Sequence, residues 1–73
     1  MSITVYTKPG CVQCDATKRT LNKLGFAYDL VDLTEDRVAL ESIKALGYAQ
    51  APVVVTSEDH WSGYRPDKLK ELA

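Results

Sequence analysis

A chain of 73 residues holds one domain, spanning 1–73, around one small core, and leaves no room for a second. Nine Lys and Arg stand against ten Asp and Glu, and the basic residues are scattered without forming a stripe, so no nucleic-acid partner is expected. The opening Met1-Ser2-Ile3-Thr4-Val5-Tyr6 has neither a basic start nor a long apolar segment, and no run approaches the ~20 apolar residues that cross a bilayer, so a soluble, cytoplasmic protein with no membrane partner is expected.

Ile3 and Val5, alternating with Thr4 and Tyr6, predict a first strand that Lys8-Pro9-Gly10 breaks. From Cys11 to Leu24 the positions Cys14, Thr17, Leu21 and Leu24 recur at helical spacing, Lys18, Arg19 and Lys23 face water, and Gly25 supplies a C-terminal stop. Phe26 to Leu33 predicts a second strand of buried apolar residues interrupted by Asp29 and Asp32. Strand, helix and strand in this order imply parallel strands joined by a right-handed crossover. Thr34 is the expected cap of a second helix with Glu35 and Asp36 in its first turn, Ala39, Ile43 and Leu46 on its inner face, and Gly47 at its end. Pro52 precedes a third strand, Val53-Val54-Val55. Ser57 to Asp59 read as a turn and His60 to Gly63 as a short fourth strand, and Pro66 opens a closing helix that runs to Ala73 with Leu69 and Leu72 inward. The order is β-α-β-α-β-β-α, an α/β fold without internal repeats or linkers.

The feature that carries chemistry is Cys11-Val12-Gln13-Cys14, directly after a strand and at the start of a helix. A helix start presents unpaired backbone N–H groups and the positive end of the macrodipole, both of which favour a thiolate over a thiol. The thiolate is the nucleophile of disulfide exchange, and a second thiol one turn along resolves the mixed disulfide. Cys11 is therefore the attacking candidate, expected to titrate below a free cysteine, and Cys14 the resolving one, expected to titrate above it. In a reducing compartment a close cysteine pair is more often catalytic or metal-binding than a structural staple. A closed zinc site needs four ligands, and beyond the pair only His60 is a conventional soft ligand, so no metal is expected.

Other residues stay open between two readings at this level. Lys8 either favours the Cys11 thiolate further or is a solvated turn charge. The Ala51-Pro52 bond is cis or trans on sequence alone. Trp61 by itself reads as a packing residue, Ser62-Gly63 as a turn, and His60 as a strand residue without general-base duty.

The element order, with Cys-x-x-Cys at the first strand-to-helix junction and Ala51-Pro52 before the third strand, resembles the thioredoxin superfold over the whole chain, and the short length resembles its glutaredoxin branch. Within that branch, the cysteine motif together with Trp61-Ser62-Gly63-Tyr64-Arg65-Pro66 resembles the NrdH-redoxin family, glutaredoxin-shaped hydrogen donors of class Ib ribonucleotide reductase; Tyr64 departs from that pattern, which commonly has Phe. The resemblance implies a thioredoxin-like, glutaredoxin-type domain with a four-stranded mixed sheet flanked by helices. It implies a redox-active Cys11–Cys14 disulfide with no bound cofactor, thioredoxin reductase drawing on NADPH as electron source, and a class Ib ribonucleotide reductase as target. A monomer is expected. The resemblance further implies a cis Ala51-Pro52 bond beside the cysteines, so that Ala51 offers its backbone to an extended partner segment.

On the same ground Lys8, Val12, Gln13, Ala51, Pro52, Trp61, Ser62 and Gly63 are the expected substrate-contacting residues, with the Trp61 indole and Pro66 obstructing the groove in which glutathione users hold the tripeptide. Arg65 and Asp67 read as architectural. Two rivals remain: a glutathione-dependent glutaredoxin, which differs in its reductant, and a Cys-x-x-Cys metallochaperone. The metallochaperone order, β-α-β-β-α-β, ends in a strand where this chain ends in a helix.

Overall fold

The computed structural model describes residues 2–72; Met1 and Ala73, the ends of the span expected to be one domain, lie outside them. The chain runs β1 (Ile3–Thr7), α1 (Val12–Leu24), β2 (Asp29–Asp32), α2 (Arg37–Ala45), β3 (Val53–Thr56), β4 (His60–Ser62) and α3 (Pro66–Glu71), in the order read from the sequence. The four strands form one mixed sheet, β2-β1-β3-β4, with β1 parallel to β2 and antiparallel to β3, and β3 antiparallel to β4.

Because side chains alternate along a strand, residues paired across the sheet share a face. One such row is Leu30, Val5, Val54 and Trp61. Apart from the edge residue Leu30, this row joins Ile3, Leu21 of α1 and Leu69 of α3 in one buried cluster. The neighbouring rows, Val31–Tyr6–Val53–Ser62 and Asp29–Thr4–Val55–His60, point to the other face. There Ala39 and Ile43 of α2 cover Val53 and Leu33. Fully burying a side chain such as Leu21, Ile43 or Leu69 contributes about 1.5–3 kcal/mol each.

Three expectations are corrected. The second strand is Asp29–Asp32 instead of Phe26–Leu33. Gly25, at φ 82°, donates to the Asn22 carbonyl, and Phe26 donates to that of Leu21, so Phe26 is used in closing α1 before the strand starts. As an edge strand, β2 also leaves Leu30 51% exposed.

The second helix is capped by Asp36, whose Oδ1 accepts from the Ala39 amide at 3.0 Å. Thr34 does not cap it, because its amide and hydroxyl both donate to Asp32 Oδ1. A carboxylate outcompetes a hydroxyl as acceptor at both places, and Glu35 and Asp36 therefore precede the helix. Finally, Leu24 and Leu46, expected inward, lie at helix ends and are 36% and 43% exposed.

Candidate active site

Cys11 is the N-cap of α1, with extended backbone (φ −92°, ψ 107°), reached through Gly10 at φ 73°. A left-handed residue directly before the cap turns the chain from β1 into the helix, a conformation glycine adopts without steric cost. The Cys11 Sγ accepts a hydrogen bond from the Cys14 amide at 3.1 Å. That amide is one of the donors a helix start leaves without an intrahelical partner, and it strengthens as a donor when sulfur carries negative charge. The two sulfurs are joined as a disulfide over a Cα–Cα span of 5.2 Å. Their accessibilities differ: Cys11 is half-buried, whereas Cys14 is 0% exposed. A partner sulfur can reach the first and not the second.

Three segments meet around this cap. The Ala51-Pro52 bond is cis, Pro52 is buried, and its carbonyl accepts from the Gly63 amide at 2.8 Å. The Tyr64 amide donates to Gln13 Oε1 at 3.2 Å. Ser62 Oγ reaches the Gln50 carbonyl at 3.5 Å. Gly63 has φ 85°, and a Cβ there would sit 3.5 Å from Gln13 Oε1, so this residue both takes a left-handed turn and lies close against the motif. Gln13, Ala51, Pro52, Ser62 and Gly63 are thus brought together. Val12, 78% exposed, projects from the cap next to Cys11, and Lys8 is exposed in the turn before it.

Trp61 is placed elsewhere. It is 4% exposed, and its indole belongs to the cluster of Leu21, Val54 and Leu69, on the opposite face of β4 from His60 and Ser62. The indole therefore does not project over the sheet face on which Ser62 lies, and it borders a recess of about 480 Å³ between Thr56–Asp59 and α3.

Arg65 makes a two-bonded ion pair with Asp67, at 3.1 and 2.9 Å, which holds the Asp67 carboxyl below its ordinary range and raises the guanidinium. Sequence reasoning missed three contacts. Tyr64 Oη bonds Thr20 Oγ1 at 3.0 Å, Tyr48 Oη lies 2.7 Å from His60 Nδ1, and the Gln13 amide is used within the protein. All join residues far apart in the chain, and no local pattern announces them.

A sheet of this topology, with a cysteine pair at the β1–α1 junction and a cis-proline before β3, defines a thiol–disulfide oxidoreductase with the thioredoxin fold. The glutaredoxin family model matches residues 3–61. Glutaredoxin-like protein NrdH of Escherichia coli is 42% identical over 72 residues, covering 99% of this chain and 89% of that protein. The NrdH protein of Lactococcus lactis is 34% identical, covering 97% of this chain and 99% of its own. The solved NrdH-redoxin of E. coli superposes with a TM-score of 0.97 at 41% identity, over 100% of this chain and 96% of that one. The chain belongs to the glutaredoxin family, among its NrdH-like members. With α2 between β2 and β3, its element order is not that of the metallochaperones. Among the described residues, no helix is long and apolar enough to cross a membrane.

Proposed function

We infer that this protein is the dithiol electron donor of a class Ib ribonucleotide reductase, re-reduced by thioredoxin reductase at the expense of NADPH. The observation that carries the reading is the asymmetric pair at the helix cap: Cys11 is reachable and its sulfur already receives a helix-start amide, while Cys14 is sealed one turn beneath it. The names of the NrdH relatives and the thioredoxin-like activity described for the E. coli protein support the choice of partners.

The exchange balances as follows. Cys11 thiolate attacks one sulfur of the target disulfide, and the other target sulfur leaves as a thiolate and takes up a proton. Cys14 then gives up its proton and attacks the Cys11 sulfur, and the second target sulfur leaves and is protonated. The target gains two electrons and two protons, and Cys11 and Cys14 become the disulfide. Thioredoxin reductase returns two electrons drawn from NADPH as hydride.

Val12 and the Ala51 backbone, held in place by the buried Pro52, form the surface on which an extended target segment lies, and Lys8 adds positive charge near the cap. Gln13, Ser62 and Gly63 shape that surface by holding it closed. A glutathione tripeptide is held by a few polar contacts, and here the Gly63 and Tyr64 amides are already committed to Pro52 and Gln13. Closure of the backbone, in place of the indole expected from sequence, is thus the obstacle to glutathione.

The test supplies the protein, in the presence of a protein disulfide as acceptor, with NADPH and either thioredoxin reductase or glutathione plus glutathione reductase, and follows NADPH consumption. Fast turnover with the first and slow turnover with the second is expected. Equal rates would replace this reading with a glutathione-dependent glutaredoxin.

A further inference from the structure

Residues 49–52, which lead from α2 into β3 through the cis bond, have no regular secondary structure, and Ala49 and Gln50 are exposed. A short exposed segment of this kind opens easily unless its ends are tied. Its N-terminal end is set by the closure of α2. Gly47, at φ 95°, donates to the Lys44 carbonyl, and the Tyr48 amide donates to that of Ile43, which lays the Tyr48 ring against the cluster of Leu33, Ala39, Ile43 and Val53. From there Tyr48 Oη lies 2.7 Å from His60 Nδ1 and 3.3 Å from the His60 carbonyl, and the two rings meet edge to face at 5.5 Å. The other ties, Gln50 to Ser62 and Pro52 to Gly63, also run to β4 and the residue after it.

We propose that Tyr48 and His60 form a clasp that fixes the Ala51–Pro52 backbone for protein partners, making both of them positioning residues for the reduction of protein disulfides. The proposal rests on the dithiol-reductase reading above. A phenol has one hydrogen, so the two contacts are separate two-centre hydrogen bonds when Nδ1–H donates to Oη while O–H donates to the carbonyl. The clasp thus selects the Nδ1–H tautomer of neutral His60. An extended partner segment that pairs with preset backbone avoids the ordering cost it would otherwise meet, whereas a small disulfide needs only the Cys11 sulfur.

The experiment compares wild type, Tyr48→Phe, His60→Ala and His60→Asn, with insulin as the protein disulfide and 5,5′-dithiobis(2-nitrobenzoate) as the small one. Losing a clasp bond should raise KM for insulin about 3- to 10-fold in Tyr48→Phe and His60→Ala, with the rate toward the small disulfide unchanged. His60→Asn, whose amide can donate where Nδ1–H did, should recover most of the loss. Nitrogen-15 NMR of the neutral imidazole should show Nδ1 protonated. Unchanged insulin kinetics in an active protein, equal losses toward both substrates, or an Nε2–H tautomer would each overturn the clasp alone. A wild type that reduces the small disulfide but not insulin would overturn the parent reading, and the proposed role with it.

Discussion

The Tyr64 amide donates to Gln13 Oε1 across 51 positions of sequence, tying the loop after β4 to the residue next to the buried cysteine. Tyr64 adds a second tie to the same helix through its hydroxyl on Thr20, so α1 grips one residue from two places two turns apart. Gln13 Oε1 thereby holds the loop that borders the site.

Gln13→Ala should therefore cost about 0.5–1.5 kcal/mol, the range of one neutral hydrogen bond, and free the Tyr64 amide. Glutathione-driven turnover should rise while the rate of Cys11 with a small disulfide stays the same. A variant with unchanged glutathione turnover would show that loop closure does not limit access of the tripeptide.

Trp61 gives a sharper contrast between packing and recognition. Its indole is buried with Leu21 and Leu69, and its Nε1 is the buried side-chain nitrogen without a partner among the described residues. Trp61→Ala should cost about 3–5 kcal/mol through the cavity it leaves, a large part of the stability of a small domain. Trp61→Phe removes the orphan donor along with some volume, and these effects oppose each other, so its cost should stay below about 1.5 kcal/mol. Urea denaturation of both variants checks the pair. A mild Trp61→Ala with a selective loss of partner reduction would return Trp61 to the surface role expected from sequence.

The elements were legible where a local signal decides the outcome. Gly25 and Gly47 end α1 and α2, Pro66 starts α3, and the apolar run Val53-Val54-Val55 after Pro52 marks β3. The N-terminus of α2 was misplaced because Thr34, Asp32 and Asp36 are all plausible caps, and only the folded geometry assigns Thr34 to Asp32. The position of the cysteine pair at the start of α1 was readable from the break after β1 and the helical spacing that follows. The direction of Trp61 was not, since a three-residue strand shows too little alternation to reveal which face its middle residue takes; the pairing with Val54 settles it.

Stability should fall in acid for a reason visible at three exposed aspartates. Asp32 is held below its ordinary range by the Thr34 hydroxyl and then the Thr34 amide, Asp59 by the His60 amide and then Lys68, and Asp67 by the Arg65 guanidinium. A carboxylate whose folded-state pKa is depressed stabilises the fold above its unfolded pKa, and that contribution is lost as pH falls through the folded value. Unfolding midpoints should thus be level from pH 7 to about 5 and decline below about 4. Since all three groups are exposed, each contribution is small and weakened by salt. Asp67→Asn should flatten part of the acid decline, and an unaltered acid limb in that variant would rule out the Arg65 pair as a contributor.

The order of attack follows from burial. Cys14 is sealed beneath the helix cap, so in the reduced protein it should meet a target sulfur only after Cys11 has brought one to the cap. Cys14→Ser should therefore attack a disulfide substrate and remain joined to it through Cys11, while Cys11→Ser should stay unmodified, which mass spectrometry after mixing would show directly. The same geometry orders the acidities. The Cys14 amide pointing at Cys11 Sγ favours the charged sulfur there, and burial disfavours charge at Cys14. Thiolate absorbance in the two single-cysteine variants should consequently appear at lower pH for Cys11 than for a free cysteine, and at higher pH for Cys14. If Cys14 instead trapped substrate as readily as Cys11, accessibility would not be what selects the nucleophile, and the two cysteines would have to exchange roles.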